Sequence, residues 1–401
     1  MLDPALEAEG LGPSAFSEAL GVDWAARHGE ISAQLGGASV LVVGAAGTIG
    51  AACVRQLLPF APRRLELVDL DENGLARLAR DIRSRGEGET SEIGFNALDF
   101  AGWPGLALAQ STGPFDLVLN FAAVKHVRSE KNRFTLLHMI DVNVVRQQRF
   151  AAHLAEHGLA RRHFVVSTDK AADPASFMGA TKLLLEAAAF AEAGAGLHAS
   201  AARFANVAYS SGSLLESYLQ RFEASQALAA PRDTRRYFIS ARDAARICLL
   251  AQLTCESGQV AVPRFDPASG AAQLADTAAA FLASRGRRGV FVASPEEAAE
   301  RLARGGPDYP VLLTPRDTAG EKEVEVFRGE GETAEPLELT SLEAVRPAPI
   351  GRNALCAALE DLAQCVSGAA PADEARLEAI IRGVIPSFRH IAAEARLDDR
   401  I

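Results

Sequence analysis

The sequence lacks the marks of several protein classes. Its five cysteines are widely spaced over 401 residues and form no C-x-x-C pair, so neither a zinc-ribbon spacing nor a disulfide framework is visible. The acidic start, MLDPALEAEGLG, has no basic and apolar signal-peptide segments, and no charge-free apolar run approaches 18 residues. We therefore expect reduced thiols, a cytoplasmic location and no membrane partner.

Basic residues are also in deficit. There are 41 Lys and Arg against 51 Asp and Glu, a formal net charge of −10, so the molecule as a whole repels nucleic acid. We expect no nucleic-acid partner, and any anionic ligand needs local Arg or Lys. The content of 48% hydrophobic and 23% charged residues is typical of a globular protein and excludes a disordered chain.

Short β-branched runs alternate with helical stretches from Ala38 to about residue 205. Continuous apolar strands between helices are typical of a parallel sheet covered on both faces. The sequence therefore predicts an α/β fold with a doubly wound parallel (Rossmann) sheet. The strands are expected near 39–44, 64–69, 91–95, 116–121, 163–168 and 198–204.

The chain divides into four predicted parts. Residues 1–37 form an N-terminal helical extension, and 38–205 form the Rossmann domain. Residues 206–330 form a smaller α/β substrate-binding region at the carboxyl edge of the sheet, where doubly wound folds bind ligands. Residues 331–401 form a C-terminal helical extension. The acidic segment 329–338 is expected to be a surface loop.

Gly44, Gly47 and Gly50 form the G-x-x-G-x-x-G of VVGAAGTIG, directly after a strand and at the start of a helix. Such glycines let backbone amides approach a pyrophosphate at the helix N-terminus. Asp69 closes the second strand 25 residues after Gly44, and its carboxylate would bind an adenosine ribose and repel a 2′-phosphate. The sequence predicts an NAD site, with NADP disfavoured. A plain glycine-rich turn would not be expected to have the strand before it, the helix after it and the acidic residue at the end of the second strand all at once.

The segment VVSTDKAADPASFMGATK, residues 165–182, carries the densest chemistry. It lies at the carboxyl end of the fifth predicted strand and leads into a helix. Ser167, Thr168, Asp169 and Lys170 therefore fall at the sheet edge where a doubly wound fold meets its cofactor. The sequence predicts that this segment holds the reactive groups.

These motifs resemble the extended short-chain dehydrogenase/reductase superfamily, and within it the nucleotide-sugar 4,6-dehydratases of the capsular-polysaccharide biosynthesis type. The matching segments are the glycine turn, NFAAVKHVRSE, STDK with MGATK, RFANV with SSGS, and TRRYF, which together span roughly residues 38–265. GEK at 320–322 resembles a further family feature. The chain resembles the soluble branch of this family.

The resemblance implies a lyase that acts on an NDP-N-acetylhexosamine, UDP- or GDP-GlcNAc, in the biosynthesis of surface glycans or nonulosonic acid precursors. NAD takes a hydride from C4 of the sugar, water is lost across C5 and C6, and the hydride returns to C6. The product is a 4-keto-6-deoxy sugar. The resemblance leaves open whether the nucleotide is UDP or GDP.

The resemblance also implies roles for five residues. Asp169 is the acid for the C6 hydroxyl and Lys170 the base at C5, as elimination requires. Thr168 bonds the C4 oxygen, and Lys182 bonds the nicotinamide ribose. Met178 stands where the superfamily usually has Tyr, and a thioether cannot take a proton. The base that deprotonates the C4 hydroxyl therefore stays open.

The remaining site residues follow from the same matches. The cofactor-binding residues are expected to be Gly44, Gly47, Thr48, Ile49, Gly50, Asp69, Asn120, Ala122, Ala123, Asn143, Ser167 and Lys182. The substrate-binding residues are expected to be Lys125, His126, Asn206, Ser213 and Arg236. Asn206 and Arg236 are assigned to the diphosphate, since a guanidinium binds phosphate in a bidentate manner. We expect no metal and a homo-oligomer.

Other interpretations compete with this one. His153, Glu156 and His157 fit H-x-x-E-H, a zinc-peptidase motif, but they end a predicted helix where imidazoles are favoured by the helix dipole. The segment after Lys170 is also consistent with a helix capped at Asp173–Pro174. Two rival functions stay open: an NDP-sugar epimerase, which shares the fold and the first hydride step, and a non-catalytic dinucleotide-binding protein.

The first prediction concerns cofactor choice. The negative charge of Asp69 at the end of the second strand disfavours a 2′-phosphate, so the protein is expected to prefer NAD over NADP. Calorimetric titration with both dinucleotides measures this preference. Binding of NADP as tight as that of NAD, or tighter, contradicts the assignment.

Overall fold

The computed structural model describes residues 15–193, 196–265, 271–315 and 325–390. Within these ranges the strands are β1 (Ser39–Val43), β2 (Arg64–Asp69), β3 (Glu92–Ala97), β4 (Phe115–Asn120), β5 (Ala160–Val166), β6 (His198–Ala202), β7 (Asn206–Val207), β8 (Leu228–Pro231), β9 (Arg235–Arg236), β10 (Phe238–Ile239), β11 (Gln259–Pro263), β12 (Ala272–Gln273), β13 (Arg288–Val292), β14 (Asp308–Thr314), β15 (Thr333–Glu335) and β16 (Leu342–Arg346). The α-helices are α1 (Ala15–Ala26), α2 (His28–Leu35), α3 (Thr48–Leu57), α4 (Glu72–Ser84), α5 (Trp103–Thr112), α6 (Arg133–Ile140), α7 (Arg146–Glu156), α8 (Phe177–Ala191), α9 (Leu214–Glu223), α10 (Ala241–Thr254), α11 (Leu274–Ala283), α12 (Pro295–Arg304), α13 (Arg352–Ser367) and α14 (Glu374–Val384).

The main sheet of the described chain has nine strands in the order β15-β16-β11-β6-β5-β4-β1-β2-β3. The strands from β3 to β11 run parallel, and β16 and β15 continue the sheet as antiparallel strands. The strand order reverses between β1 and β4, which is where doubly wound folds bind ligands. The doubly wound α/β prediction is confirmed.

The side chains of β1 point alternately to the two faces of the sheet, and both faces are covered. Val40 and Val42 belong to one core with residues of α3 and α10, whereas Leu41 and Val43 belong to a second core with residues of α7. Successive side chains of a strand point to opposite faces, so an unbroken apolar run requires cover on both sides.

The part of the chain around β8, β13 and β14 has its own small core. Strands β13, β14 and β8 form a parallel three-stranded sheet, which packs against α9 and α11 through Tyr218 and Phe281. Two short ladders, β7 with β10 and β9 with β12, form separate two-stranded sheets. Helices α13 and α14 pack against α6 and α8 in a further core.

The structure corrects two expectations about this half of the chain. Strand β11, from the segment 206–330, lies in the main sheet beside β6. The part 331–401, expected to be helical, begins with β15 and β16, and β15 falls within the expected loop 329–338. The sequence of β15 is only TAE, and backbone pairing at a sheet edge leaves no apolar pattern.

Some expectations fall on parts of the chain outside the described residues. They concern residues 1–14 of the N-terminal extension, the GEK of 320–322 and the last part of the C-terminal extension, 391–401. Among the helices of the described ranges, none combines the length and the apolar character needed to cross a membrane.

Asp23 joins the N-terminal helix α1 to the loop before β16. Its buried carboxylate accepts hydrogen bonds from the backbone N–H and hydroxyl of Thr340, at 3.1 and 3.0 Å, and from those of Ser341, at 2.8 and 2.5 Å. Burial opposes the charge of Asp23, but the bonds from Ser341 and Thr340 outweigh it and lower its pKa. The charged form is therefore stabilised by folding.

The second prediction follows from Asp23. Asp23→Asn replaces a charged acceptor of four bonds, so the free energy of unfolding is expected to fall by about 1–3 kcal/mol at neutral pH. Because the pKa is lowered in the folded state, this stabilisation is present above about pH 4 and is lost as the pH falls through the folded-state pKa. Urea unfolding at several pH values measures it, with the exposed Glu18→Gln on the same helix as control. Equal losses in both variants contradict the assignment.

Candidate active site

A cavity of 640 Å³ lies at the carboxyl edge of the main sheet. The chain reaches it directly after β1, β4, β5 and β6. Most of the predicted site residues line its wall: Gly44, Gly47, Thr48, Ile49, Gly50, Ala123, Lys125, His126, Ser167, Thr168, Asp169, Lys170, Met178, Lys182, Asn206, Ser213 and Arg236. The structure thus brings together residues that are up to 192 positions apart, from Gly44 to Arg236.

Four predicted cofactor residues, Asp69, Asn120, Ala122 and Asn143, lie outside this wall and support it. Asn120 is buried and its amide donates to Gln147, 2.7 Å away. Asn143 accepts from the N–H of Val124 and donates to its carbonyl, both at 2.8 Å. These two amides fix the chain after β4, whose residues Ala123, Lys125 and His126 line the cavity.

The glycine turn is packed too tightly for side chains. A Cβ on Gly50 would lie 2.1 Å from the carbonyl oxygen of Gly44, which is backbone and cannot move away. Asp69 accepts from the N–H of Ala46 in this turn at 2.9 Å. Helix α3 begins at Thr48, so its N-terminal amides and partial positive charge lie at the cavity, as an anion site requires.

Thr168, Asp169 and Lys170 form one connected group on the cavity wall. The hydroxyl of Thr168 donates to Oδ1 of Asp169 at 2.7 Å. Nζ of Lys170 lies 3.2 Å from both carboxylate oxygens. The side chain of Asp169 is 8% exposed and that of Lys170 33%. A carboxyl group and an amine are thus in direct contact at the sheet edge.

Helix α8 is positioned against this group by its first turn. Ser176 caps the helix by accepting from the N–H of Gly179 at 3.2 Å. The cap expected at Asp173–Pro174 is therefore wrong, because the helix begins only at Phe177 and the residue just before it supplies the cap. A Cβ on Gly179 would lie 2.4 Å from the carbonyl oxygen of Lys170, so a glycine lets the helix approach the loop that carries Lys170.

Lys182, one turn further along α8, presents a buried amine to the cavity. Its Nζ has no hydrogen-bond partner among the described residues, although the residue lines the cavity wall. Burial lowers the pKa of Lys182 to about 8, against the opposing effect of Glu186. An unpartnered buried donor at this place is suited to a polar ligand group.

Arg203 ties this part of the site together. Its guanidinium, with no exposure, pairs with Glu186 of α8 at 2.7 Å and with Glu332 at 2.7 Å. Glu186 also accepts from the hydroxyl of Ser167. Burial opposes the charge, but Glu186 and Glu332 outweigh it and raise the pKa of Arg203. The network joins the end of β5, helix α8 and the chain near 332.

Two carboxylates that the sequence analysis did not assign also contact site residues. Glu325 accepts from the side chain of Asn206 at 2.5 Å. Glu130, at the end of NFAAVKHVRSE, accepts from the N–H of Met178 at 2.7 Å. His390 lies 3.3 Å from Glu130, so residues near the end of the described chain support helix α8.

The competing H-x-x-E-H motif stays at the end of α7. Nδ1 of His157 lies 3.2 Å from the carbonyl oxygen of His153, and the two rings are 4.4 Å apart. Within the described ranges no cluster of three or more His, Cys, Asp or Glu side chains is arranged to hold a metal ion.

Comparison with known sequences points to one family. The pattern of the family described as polysaccharide biosynthesis protein matches residues 40–293. An uncharacterized membrane protein of Methanocaldococcus jannaschii is 29% identical over 231 residues, 55% of this chain and 65% of that protein. The capsular polysaccharide biosynthesis protein CapD of Staphylococcus aureus is 27% identical over 58% of this chain and 39% of its own length. This chain thus spans less than two thirds of these relatives.

Solved structures share the fold. Pen from Bacillus thuringiensis superposes with a TM-score of 0.62 and 18% identity, over 78% of this chain and 88% of that one. DesIV, a dTDP-glucose 4,6-dehydratase from Streptomyces venezuelae with NAD bound, gives 0.54 and 18%, over 73% and 88%. UDP-glucuronic acid 4-epimerase from Bacillus cereus, with NAD and UDP-glucuronic acid, gives 0.53 and 17%, over 72% and 89%.

The third prediction concerns the buried network. Arg203→Met leaves Glu186 and Glu332 without their shared cation, and breaking a buried pair costs about 3–5 kcal/mol. Arg382→Met is the control, since its pair with Glu378 at 3.4 Å is partly exposed and contributes under about 1 kcal/mol. Urea unfolding measures both. Part of the loss is expected to be recovered in the double variant Arg203→Met/Glu186→Gln; a loss no larger than in the control contradicts the role of Arg203.

Proposed function

The chain belongs to the polysaccharide biosynthesis protein family, and from this premise we propose that it is a nucleotide-sugar 4,6-dehydratase. Its substrate is an NDP-N-acetylhexosamine, UDP- or GDP-GlcNAc, and its product the 4-keto-6-deoxy derivative. The contact of Asp169 with Lys170 on the cavity wall carries this proposal, because elimination of water needs an acid and a base side by side. The similarity to CapD supports a place in surface-glycan biosynthesis.

NAD fits the glycine side of the cavity. The turn from Gly44 to Gly50 offers a cradle that a Cβ would fill, and the amine of Lys182 is buried without a partner. The turn and the N-terminus of α3 would hold the dinucleotide phosphates, and Lys182 would bond the nicotinamide ribose. Bound there, NAD would accept a hydride from C4 of the sugar and return it to C6. The NAD bound by DesIV and by the epimerase supports this assignment.

The Asp169–Lys170 pair can supply both groups that elimination requires. Nζ of Lys170 lies 3.2 Å from both carboxylate oxygens of Asp169. With the amine of Lys170 neutral and Asp169 carrying the proton released from the C4 hydroxyl, Lys170 takes the proton from C5, and Asp169 gives its proton to the departing C6 hydroxyl. Lys170 then returns its proton to C5, so the base ends as it began.

Thr168 offers a path for the proton of the C4 hydroxyl. Its hydroxyl lines the cavity and donates to Asp169 at 2.7 Å. A proton from the C4 oxygen can pass through Oγ1 of Thr168 to Asp169, which later gives one to the C6 oxygen. The proton lost at C4 thereby leaves in the water, and no phenol is needed at position 178.

Met178 then has a packing role. The residue is 5% exposed and lines the cavity, and its backbone N–H is bound by Glu130. A thioether beside the sugar and the nicotinamide excludes water without exchanging a proton.

An NDP-sugar epimerase is the second candidate, because the UDP-glucuronic acid 4-epimerase shares the fold. An epimerase needs the hydride step but no adjacent acid and base. The Asp169–Lys170 contact therefore favours the dehydratase. The same contact argues against a non-catalytic dinucleotide-binding protein.

The fourth prediction separates packing from cofactor positioning. Met178→Leu nearly conserves volume and is expected to keep turnover within about tenfold of the wild type. Lys182→Ala removes the amine assigned to the nicotinamide ribose and is expected to lower turnover by roughly 10²-fold or more. Steady-state rates and calorimetric NAD affinity measure the two effects. Equal inactivity of both variants contradicts the packing role of Met178.

The fifth prediction tests the elimination step. Asp169→Asn and Lys170→Ala are expected to lower product formation by about 10²–10⁴-fold, while the exposed Asp276→Asn has little effect. In D₂O the wild type is expected to place one deuterium at C5, since that proton passes through an exchangeable amine, and the hydrogen from C4 arrives at C6 without exchange. NMR of the product locates the label. Solvent deuterium at C6 and none at C5 contradicts the mechanism.

A further inference from the structure

Glu325 lies behind the two residues assigned to the diphosphate. Its Oε1 accepts from the side-chain amide of Asn206 at 2.5 Å and lies 3.5 Å from Nε of Arg236. Its Oε2 accepts from the backbone N–H of Tyr237 at 3.2 Å. Asn206 and Arg236 line the cavity, whereas Glu325 does not and is 9% exposed. A ligand in the cavity can therefore contact Asn206 and Arg236 without contacting Glu325.

We propose that Glu325 is a positioning residue of the diphosphate site. Its carboxyl group holds Asn206 and Arg236 in place for the phosphates, and it takes up a proton when the phosphates bind. This rests on the proposed function, because the diphosphate is that of a nucleotide sugar. Glu325 acts through Asn206 and Arg236 and does not itself touch the substrate.

The charged groups around Glu325 support this coupling. Asp169 and Lys170 face it from the loop after β5, and Arg236 faces it from β9. Burial raises the pKa of Glu325 to about 7, assisted by the charge of Asp169 and opposed by Arg236, the Tyr237 bond and Lys170. Glu325 is therefore close to half ionised at neutral pH.

A bound diphosphate shifts this balance in one direction. Its negative charges would lie against Asn206 and Arg236, the same groups that hold the carboxylate. A second anion nearby favours the neutral form of a carboxylic acid, so the pKa of Glu325 rises further in the complex. The proton taken up removes the charge that competes for Arg236, whose guanidinium can then bind the phosphates.

This coupling fixes the sign of the pH dependence. A group whose pKa is higher in the complex favours binding at low pH: the gain is complete below the pKa of the free protein and is lost as the pH rises from there through the pKa of the complex. Between about pH 6 and pH 8 the affinity is expected to fall by about tenfold in the wild type. Lys125 lines the same cavity and its pKa is lowered by burial, so a comparison with a variant of Glu325 is needed.

The test is calorimetric titration of the NAD-loaded protein with UDP-xylose and with GDP-fucose. Both are diphosphate diesters that do not titrate near neutral pH, and neither has a C6 hydroxyl to eliminate. Titrations in buffers of different ionisation enthalpy count the protons taken up. At pH 7 we expect the wild type to take up about half a proton per site when the probe binds. Glu325→Gln is expected to take up about half a proton less than the wild type. The control is Glu335→Gln, whose carboxylate pairs with Arg346 on the far strands β15 and β16.

Each outcome decides a separate point. Binding of either probe with the same proton count and pH dependence in the wild type and Glu325→Gln overturns the role of Glu325 and leaves the dehydratase proposal intact. If Glu325→Gln does not fold, Lys125→Gln removes the titrating amine of Lys125 instead. Uptake of no proton by the wild type at pH 7, or uptake that disappears in Lys125→Gln, contradicts the proposal, and uptake that persists in Lys125→Gln supports it. If neither probe binds, the nucleotide-sugar assignment fails, and the inference fails with it.

Discussion

The guanidinium of Arg203 lies in a fully buried position between the carboxylates of Glu186 and Glu332. Such a charge is tolerated only when its partners are fixed, since an unpaired buried ion costs several kcal/mol. The three residues come from the end of β6, from helix α8 and from the chain before β15, and Glu186 also binds Ser167. Helix α8 carries Met178 and Lys182, so both sides of the loop that holds Asp169 and Lys170 depend on this one network.

The charged residues of the cavity are mostly opposite in sign to the chain as a whole. The chain is acidic overall, yet its cavity is lined by Lys125, Lys170, Lys182 and Arg236, which suits an anionic dinucleotide and a diphosphate. Two of these cations have a carboxylate as a direct neighbour. Asp169 contacts Lys170, and Glu325 lies beside Arg236. This arrangement suits anion binding and keeps proton donors and acceptors close to one another.

The sequence predicts best what is local and fails where partners are distant. Strand β1 contains the unbroken apolar run VLVV, and β2 and β4 are short segments rich in Leu and Val. The glycine turn is recognisable by its spacing, so the sheet and this turn could be predicted from the sequence. Glu325 follows Asn206 by 119 residues, and no local pattern marks it as a partner. Strand β15 was missed because this edge strand is fixed by backbone pairing with β16. The Ser176 cap was missed because Asp173–Pro174 offered an equally good local signal.

We propose that the Asp169–Lys170 pair eliminates water from a nucleotide sugar. The most direct measurement is the mass of the product after the protein is incubated with UDP-GlcNAc and, separately, with GDP-GlcNAc in the presence of NAD. The account predicts that one of the two is converted to a product lighter by one molecule of water. A product of unchanged mass with inverted configuration at C4 would contradict it and establish the epimerase in its place.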